Sequence, residues 1–502
     1  MQWVERTSLV TRRRLLLGTL LDRLAAIHRD RVLVDTGSSR LTYREAADRV
    51  ARLAGGIASS PGFAVGGTVV VAVASSYDLL LLCVAACRAG GVAVPVNPQT
   101  RDEEVAYVIE DSGAALVVRE ADEVLGPRRE PAAAGRPRDV AAIFYTSGTT
   151  GRPKGAELTH LGLLGQVAPA AVWPTGLRRD EAVVALPVAH IMGFQVLLGL
   201  AAAGIPTYFL PRFRPDLVLD AIERRRSTMF VGVPAMYRLL LEAGASDRDL
   251  RSVRVWASGA DVLPPEIARR FQRMGATLTL PFGLSVGQAA FVEGYGMVEI
   301  GGGVAAKVAP FVPLPRGDFL GVPTPPNHFK VVNADDRQVG IGETGELLVK
   351  GPGLLKGYHG DAEATRAAVT EDGWLRTGDL ARRGPLGLVF FAGRSKDVIK
   401  RGGYSVFAVE VERTLEAHPD VAEAAVVGLP DERLGEVPVA AVRVVPGSAL
   451  TEEGLVRWAG EHLADYKVPV QVRMVEELPR TGTSKVKKNA MLGWFTPLVP
   501  PF

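Results

Sequence analysis

Cysteine is nearly absent: only Cys83 and Cys87 occur in 502 residues. They fall within Leu79-Leu-Leu-Leu-Cys-Val-Ala-Ala-Cys87, an apolar run that reads as a buried helix, so both are expected to pack as small apolar side chains. This excludes a disulfide framework and offers no companion ligands for a metal, and it fits a reducing compartment. Long uninterrupted apolar runs are also missing. Arg12-Arg-Arg-Leu-Leu-Leu-Gly-Thr-Leu-Leu21 starts like a signal peptide, but the run is short, Asp22 and Arg23 interrupt it, and no small-residue cleavage site follows. The apolar region 182–210 contains Pro187, His190, Gln195 and Pro206, which break it into strand, loop and helix. A cytoplasmic protein without a membrane span is expected. Charge of one sign is scarce too: the net charge is +3 and the three arginines 12–14 are too short a cluster for a nucleic-acid partner.

What is present is a chain too long for one core, so two or more domains are expected. Hydrophobic residues at 47% and charged residues at 23% are the proportions of a globular protein. Valine-rich runs at 68–74, 183–186, 228–231 and 253–257 read as strands. Helical patterns at 77–89, 215–226 and 264–274 alternate with them, which predicts a layered α/β architecture. No internal period points to a solenoid. Past Gly321, residues 329–332 and 346–350 alternate polar and apolar around the turn-forming Asn333-Ala-Asp-Asp336, which predicts antiparallel hairpins. A helix at 408–415, strands at 421–428 and 437–445 and a helix at 452–463 complete a compact α+β unit. The fold class is therefore α/β: a large N-terminal domain of layered α/β subdomains plus a β-rich subdomain (1–394), and a small mobile C-terminal α+β domain (396–502).

The chemistry concentrates after the expected strand 140–145. There Thr146-Ser-Gly-Thr-Thr-Gly-Arg-Pro-Lys-Gly155 places four hydroxyls, three glycines and a lysine in ten residues, with a helix expected near Thr159. Glycines let backbone N–H groups approach phosphate oxygens, hydroxyls donate further bonds, and the lysine adds charge. The pattern is not the Walker form, which ends in Gly-Lys followed by Ser or Thr.

This loop resembles the signature of the adenylate-forming superfamily: acyl-CoA synthetases, luciferases and peptide-synthetase adenylation domains. The resemblance spans nearly the whole chain. It continues through Leu41-Thr-Tyr-Arg-Glu45, Gly90-Gly-Val-Ala-Val-Pro-Val-Asn-Pro98 and Pro187-Val-Ala-His-Ile-Met-Gly193. Further blocks are Gly294-Tyr-Gly-Met-Val-Glu299, Trp374-Leu-Arg-Thr-Gly-Asp379, Gly393-Arg-Ser-Lys-Asp397 and Pro479-Arg-Thr-Gly-Thr-Ser-Lys485. It implies an acyl-CoA ligase: ATP and a carboxylic acid give an acyl-adenylate and pyrophosphate, then the C-terminal domain swings and the thiol of CoA displaces AMP.

By the same resemblance, ATP or AMP is held by Thr146, Ser147, Gly148, Thr149, Thr150, Gly151 and Lys154, by Tyr295, Gly296 and Met297, and by Asp379 and Arg394. Asp379 is expected to accept from both ribose hydroxyls. Glu299 is expected to hold Mg²⁺, a hard ion that prefers oxygen ligands. Lys485 would bridge carboxylate and phosphate as charge builds, and His190 would line the gate between acid and nucleotide. For the second half-reaction, Lys396 matches the hinge, Lys400 a lysine that faces the nucleotide only after rotation, and Gly402 and Gly403 the border of the pantetheine tunnel. Taken singly these residues have plainer readings: Asp379 as a turn cap, Glu299 as a surface carboxylate, Lys485 as one of a solvated run with Lys487 and Lys488. The order of the blocks favours the functional ones.

Three positions depart from the family pattern. Val298 stands where threonine is usual, Ser484 where glycine precedes the final lysine, and Ala408 where proline follows the hinge block. Losing the threonine hydroxyl removes one hydrogen bond to a charged group, worth roughly 1.5–3 kcal/mol. Ser484 would add strain if the backbone there has positive φ. Both departures touch adenylation, which predicts that this half is impaired and that thioester formation dominates, on an adenylate that a second enzyme could supply. Small residues at 257–260 and 301–303 suggest a bulky or long apolar acid, of lipid or natural-product type, unless the glycines only serve turns. Two further readings remain: an acyl-AMP ligase loading a carrier protein, against which no insertion appears near the hinge, and a non-catalytic nucleotide- or acyl-binding homologue, against which Lys154, Glu299, Asp379 and Lys485 are all kept.

Overall fold

The structure is a computed structural model that describes residues 15–97, 100–146, 152–165, 167–173, 179–279, 285–310, 318–480 and 486–496. The chain divides into two compact units: residues 1–314 with 321–328 and 349–375, and residues 315–320 with 329–348 and 376–502. The expected boundary at 394–396 falls inside the second unit, at the short 3-10 turn Ser395–Asp397.

The first unit contains two large sheets. The six-stranded sheet runs Gly357–Tyr358, Lys154–Thr159, Val140–Thr146, Val92–Pro95, Thr68–Val71, Ala114–Val118. Its inner strands are parallel and rich in valine, whose branched Cβ suits a pleated surface buried on both faces. The helix Tyr77–Arg88 crosses between the strands Thr68–Val71 and Val92–Pro95 and is buried on every side. Cys83 and Cys87 pack inside it as expected, the Cys87 thiol donating to the Ala141 carbonyl at 3.1 Å. Burial pushes both thiols up, Cys87 to about 12, so neither forms a thiolate near neutral pH.

The nine-stranded sheet has parallel strands at its centre: Ala182–Val184, Met229–Gly232, Val255–Gly259 and Ala290–Met297. Trp256 anchors one face, edge-on to Phe271 with ring centroids 4.9 Å apart. The apolar region 182–210 resolves into the strand Ala182–Val184 and the helix Ile191–Ala203, as its breakers imply. Thr42 and Glu45 form a capping box on the helix Tyr43–Ser59, the Thr42 N–H donating to Glu45 Oε2 at 2.8 Å. Tyr43 then donates through its hydroxyl to the Ala201 carbonyl at 2.8 Å, so this early block is an anchor between two helices.

In the second unit, Leu375–Arg383 and Val389–Arg394 pair antiparallel within a four-stranded sheet. Beyond them a five-stranded sheet is built on the long antiparallel pair Val421–Asp431 and Gly435–Val444. The helices Ala408–Glu416 and Glu452–His462 cover one face, through Val411, Leu415, Leu455 and Ala459. Leu478, Met491 and Phe495 cover the other. Among the described residues no helix is long and apolar enough to cross a membrane.

Candidate active site

The expected phosphate loop is the connection of a β-hairpin. Val140–Thr146 pairs antiparallel with Lys154–Thr159, Thr146 standing opposite Lys154 and Tyr145 opposite Gly155. The second of these strands was not expected; the sequence reading had only a helix near Thr159, which begins at His160. The ladder fixes the two ends of the loop, so Thr146 and Lys154 are adjacent, with the Thr146 hydroxyl 3.4 Å from the Lys154 carbonyl. Ser147, Gly148, Thr149, Thr150 and Gly151 lie outside the described residues.

Lys154 and Glu299 meet around a tyrosine the sequence reading passed over. The two-residue strand Gly357–Tyr358 pairs with Lys154–Thr159 and sets the Tyr358 ring under the Lys154 ammonium, 5.4 Å from it. The Tyr358 hydroxyl donates to Glu299 Oε1 at 3.1 Å. Burial, reinforced by the Glu299 charge, raises the phenol's pKa, so it remains a donor across the ordinary pH range. Lys154 also lies 3.8 Å from Asp361, which caps the helix Ala362–Ala368. The signal that could have found Tyr358 is weak: a lone aromatic between Gly357 and Gly360, just ahead of the cap residue Asp361.

Glu299 sits in a 3-10 turn, Val298–Ile300, at the end of the strand Ala290–Met297. Tyr295, Gly296 and Met297 form the last turnings of that strand, with a register shift between Tyr295 and Gly296. A Cβ on Gly296 would come within 2.0 Å of the Gly302 carbonyl, so the close approach of the two strands requires glycine. Val298 is half-buried beside Glu299. His190 caps the helix Ile191–Ala203, its Nδ1 accepting from the Met192 N–H at 3.3 Å, which fixes the ring at the start of that helix.

The remaining expected residues belong to the second unit. Asp379 is 3% exposed and stands opposite Arg394 across the strand pair, with Arg394 Nε 3.3 Å from its carboxylate. Its backbone N–H donates to Thr377 Oγ1 at 3.1 Å, and Thr377 in turn donates to the Leu347 carbonyl at 2.6 Å. Lys396 occupies the turn Ser395–Asp397. Lys400 is exposed and donates to Ser405 Oγ at 2.8 Å. Gly402 and Gly403 are the two-residue connection between Val398–Arg401 and Tyr404–Phe407, with φ of 55° and 87°. Left-handed backbone at both central positions favours glycine for the hairpin itself, apart from any tunnel. Lys485 and Ser484 lie outside the described residues.

In chemical terms, the first unit brings together a cation, a carboxylate and a phenol donor beside the ends of a glycine- and hydroxyl-rich loop. That set suits a polyphosphate accompanied by Mg²⁺: Glu299 is a single half-buried carboxylate, and Mg²⁺ is typically held by one or two carboxylates with substrate phosphates. The second unit supplies a buried carboxylate suited to paired hydroxyls, beside a guanidinium.

Comparison with known proteins gives this arrangement its context. The pattern of the AMP-binding enzyme family matches residues 21–359, and that of the AMP-binding enzyme C-terminal domain matches residues 410–485. Feruloyl-CoA synthase from an Amycolatopsis species is 35% identical over 497 residues, covering 94% of this chain and 98% of the relative. Indoleacetate–CoA ligase from Aromatoleum aromaticum is 35% identical over 356 residues, covering 70% of this chain and 67% of the relative. The structure of o-succinylbenzoate CoA synthetase from Bacillus subtilis with its acyl-adenylate intermediate superposes with a TM-score of 0.82 at 26% identity, covering 94% of this chain and 97% of that one. This chain therefore belongs to the AMP-binding enzyme family and is an acyl-CoA synthetase, a ligase that forms a carbon–sulfur bond with ATP, Mg²⁺ and CoA.

Proposed function

We propose that the enzyme converts a bulky, apolar carboxylic acid to its CoA thioester, with an attenuated adenylation half-reaction. In the first step a carboxylate oxygen attacks the α-phosphorus of ATP, the bond to the β-phosphate oxygen breaks and pyrophosphate leaves. In the second, the thiolate of CoA attacks the acyl carbon and AMP leaves. Thr146, Lys154 and the intervening loop would hold the phosphates, Tyr295 to Met297 the base side, and Asp379 with Arg394 the ribose. Glu299 would hold Mg²⁺, which neutralises phosphate charge when bound. Tyr358 keeps Glu299 oriented and shares its field with Lys154. Lys485 would serve adenylation; rotation of residues 396–502 about Lys396 would exchange it for Lys400 and the Gly402–Gly403 hairpin.

The size of the acid rests on where space is left beside the strands Val255–Gly259 and Ala290–Met297. Gly301 and Gly302 have φ of 71° and 118° and serve the turn. Gly303 is different: a Cβ there meets nothing within 4 Å, and one on Gly294 meets nothing nearer than 3.9 Å. Gly294 stands opposite Gly259, whose own Cβ would touch Met192 beside His190 at 3.4 Å. This open, small-residue wall is the observation that carries the reading. The names of several relatives agree with it, among them feruloyl-CoA synthase, indoleacetate–CoA ligase and the Mycobacterium tuberculosis ligase for a methyl-dioxo-octahydroindenyl propanoate, 31% identical over 516 residues. A panel of acids in a CoA-ligation assay tests it. Aryl and polycyclic propanoates should surpass acetate and malonate in kcat/KM; preference for acetate refutes the reading.

Attenuation rests on Val298. Valine fills the space of threonine without its hydroxyl, so the turn at Glu299 is kept while a hydrogen bond of roughly 1.5–3 kcal/mol is lost, about ten- to a hundredfold in rate. Val298→Thr should raise carboxylate-dependent pyrophosphate exchange at least tenfold, with CoA transfer from a supplied acyl-adenylate unchanged. Fast exchange in the unaltered protein would sink this part, and exchange below detection would mean that the adenylate comes from another enzyme.

A further inference from the structure

We propose that Arg401 is a positioning residue for thioester formation: it ties the Gly402–Gly403 hairpin, and with it Lys400, to the turn Asp465–Lys467. The proposal rests on the reading that this hairpin borders the path of the CoA thiol.

The two residues that flank the glycines reach the same place. Arg401 and Tyr404 stand opposite one another across the strand pair. Arg401 Nη1 donates to the carbonyls of Asp465, Tyr466 and Val468 at 3.2, 2.9 and 3.4 Å. These lie in or just past a 3-10 turn, where the closing carbonyls lack donors within the helix. Tyr404 stacks on Tyr466, with ring centroids 4.7 Å apart and planes 26° from parallel. The turn is itself fastened to the helix Ala408–Glu416, the Lys467 ammonium donating to both carboxylate oxygens of Glu410 at 2.6 and 2.9 Å. A second brace comes from residues 434–436: the Gly402 N–H donates to the Leu434 carbonyl at 2.7 Å, and the Lys400 N–H to Glu436 Oε2 at 2.8 Å.

Burial already secures the strands of the hairpin, since Ile399 and Val406 pack in one core with Val411 and Leu455. It does not secure the turn. Tyr404 is 60% exposed, a Cβ on Gly403 would meet nothing within 4 Å, and glycine has more conformational freedom to lose than any other residue. A side chain that joins one flank of the turn to a fixed group of carbonyls removes part of that freedom in advance. Misplacement by about 1 Å near a reacting group costs on the order of a hundredfold. Release of Arg401 should therefore show in the rate of one step before it shows in the fold.

The test uses the full chain and separates the two half-reactions. Arg401→Met should lower CoA transfer from a supplied acyl-adenylate about ten- to a hundredfold, while carboxylate-dependent pyrophosphate exchange stays within about twofold. All three contacts leave one nitrogen, so Arg401→Lys, whose ammonium carries three donors, should recover most of the loss. Amide hydrogen exchange should quicken in residues 400–405 and 465–468 and not in the strand Val421–Asp431, a readout independent of catalysis. Should Arg401→Met fail to fold, Tyr404→Ser releases the opposite flank from a more exposed position and is expected to give the same split. The proposal is overturned if both half-reactions fall together with exchange quickening throughout the chain, if CoA transfer is unchanged, or if residues 400–405 exchange as before. Gly403→Asn keeps the two ideas apart, because asparagine tolerates left-handed backbone and its side chain would enter the open space. If that variant transfers CoA normally, the role given to the hairpin fails; if it loses transfer while the Arg401 and Tyr404 variants do not, only the positioning role fails.

Discussion

The phosphate hairpin and the segment around Lys485 are both short connections expected to carry a lysine to phosphate, yet they are held by different forces. The hairpin is framed by six paired positions of backbone ladder, and its lysine touches an aromatic face and a half-exposed acid. The residues that flank the C-terminal segment have a single bridge and one further backbone hydrogen bond, with apolar packing through Leu478 and Met491 and ion pairs from Arg480 to the buried Glu423 and from Lys488 to Glu412. Backbone hydrogen bonds are indifferent to pH and little affected by salt, whereas ion pairs respond to both. The same task, placing an ammonium, is thus made robust in one region and conditional in the other.

The largest effect would break this contrast at one point, His160, at the foot of the hairpin, where a side chain and not the ladder responds to pH. Its Nδ1 accepts the Leu17 N–H at 3.1 Å, which requires a neutral ring, and burial lowers its pKa to about 4. The unfolded chain, titrating near 6.5, binds the proton more readily. This contribution to stability is therefore complete above pH 6.5, is lost as pH falls through 6.5 toward 4, and amounts to roughly 3 kcal/mol. Urea unfolding of His160→Asn against the unaltered protein should show this slope only in the latter. Equal slopes would mean that the hairpin region has no acid-sensitive foot.

Tyr358→Phe comes next. It keeps the ring beneath Lys154 and removes one hydrogen bond to a carboxylate, roughly 1.5–3 kcal/mol. Pyrophosphate exchange should fall about ten- to a hundredfold with CoA transfer from supplied adenylate nearly unchanged. An unaltered exchange rate would break the claim that the phenol orients Glu299. The smallest effect is that of salt. Raising ionic strength from 0.1 to 1 M shortens the screening length from about 10 to 3 Å. Hydrogen exchange should rise by no more than about threefold in residues 479–488 and not at all in the strand Val140–Thr146. A uniform response would erase the contrast drawn here.

Much of this was legible in the chain. Valine-rich runs became parallel strands because branched side chains and burial on both faces act locally. The Thr42-to-Glu45 box and the Gly402-Gly403 turn could have announced themselves, because capping and left-handed backbone depend on neighbouring residues alone, although the sequence suggested them only as a matching block and the border of a tunnel. The strand Lys154–Thr159 did not, since Pro153 and Gly155 make its start look like loop and its strand character comes from pairing with Val140–Thr146. Tyr358 was hidden for a related reason: it acts through a partner 59 residues away in sequence, and no periodicity reports such a meeting.

The two sequestered thiols in the helix Tyr77–Arg88 leave a practical legacy. With no reactive cysteine in the folded chain, a single cysteine placed at will in each unit would accept a spectroscopic label without competition, and no native residue would have to be removed first. Slow modification of Cys83 and Cys87 themselves would then serve as a clock for global opening. The same preparation could test the proposed rotation of residues 396–502 and time the lifetime of the fold.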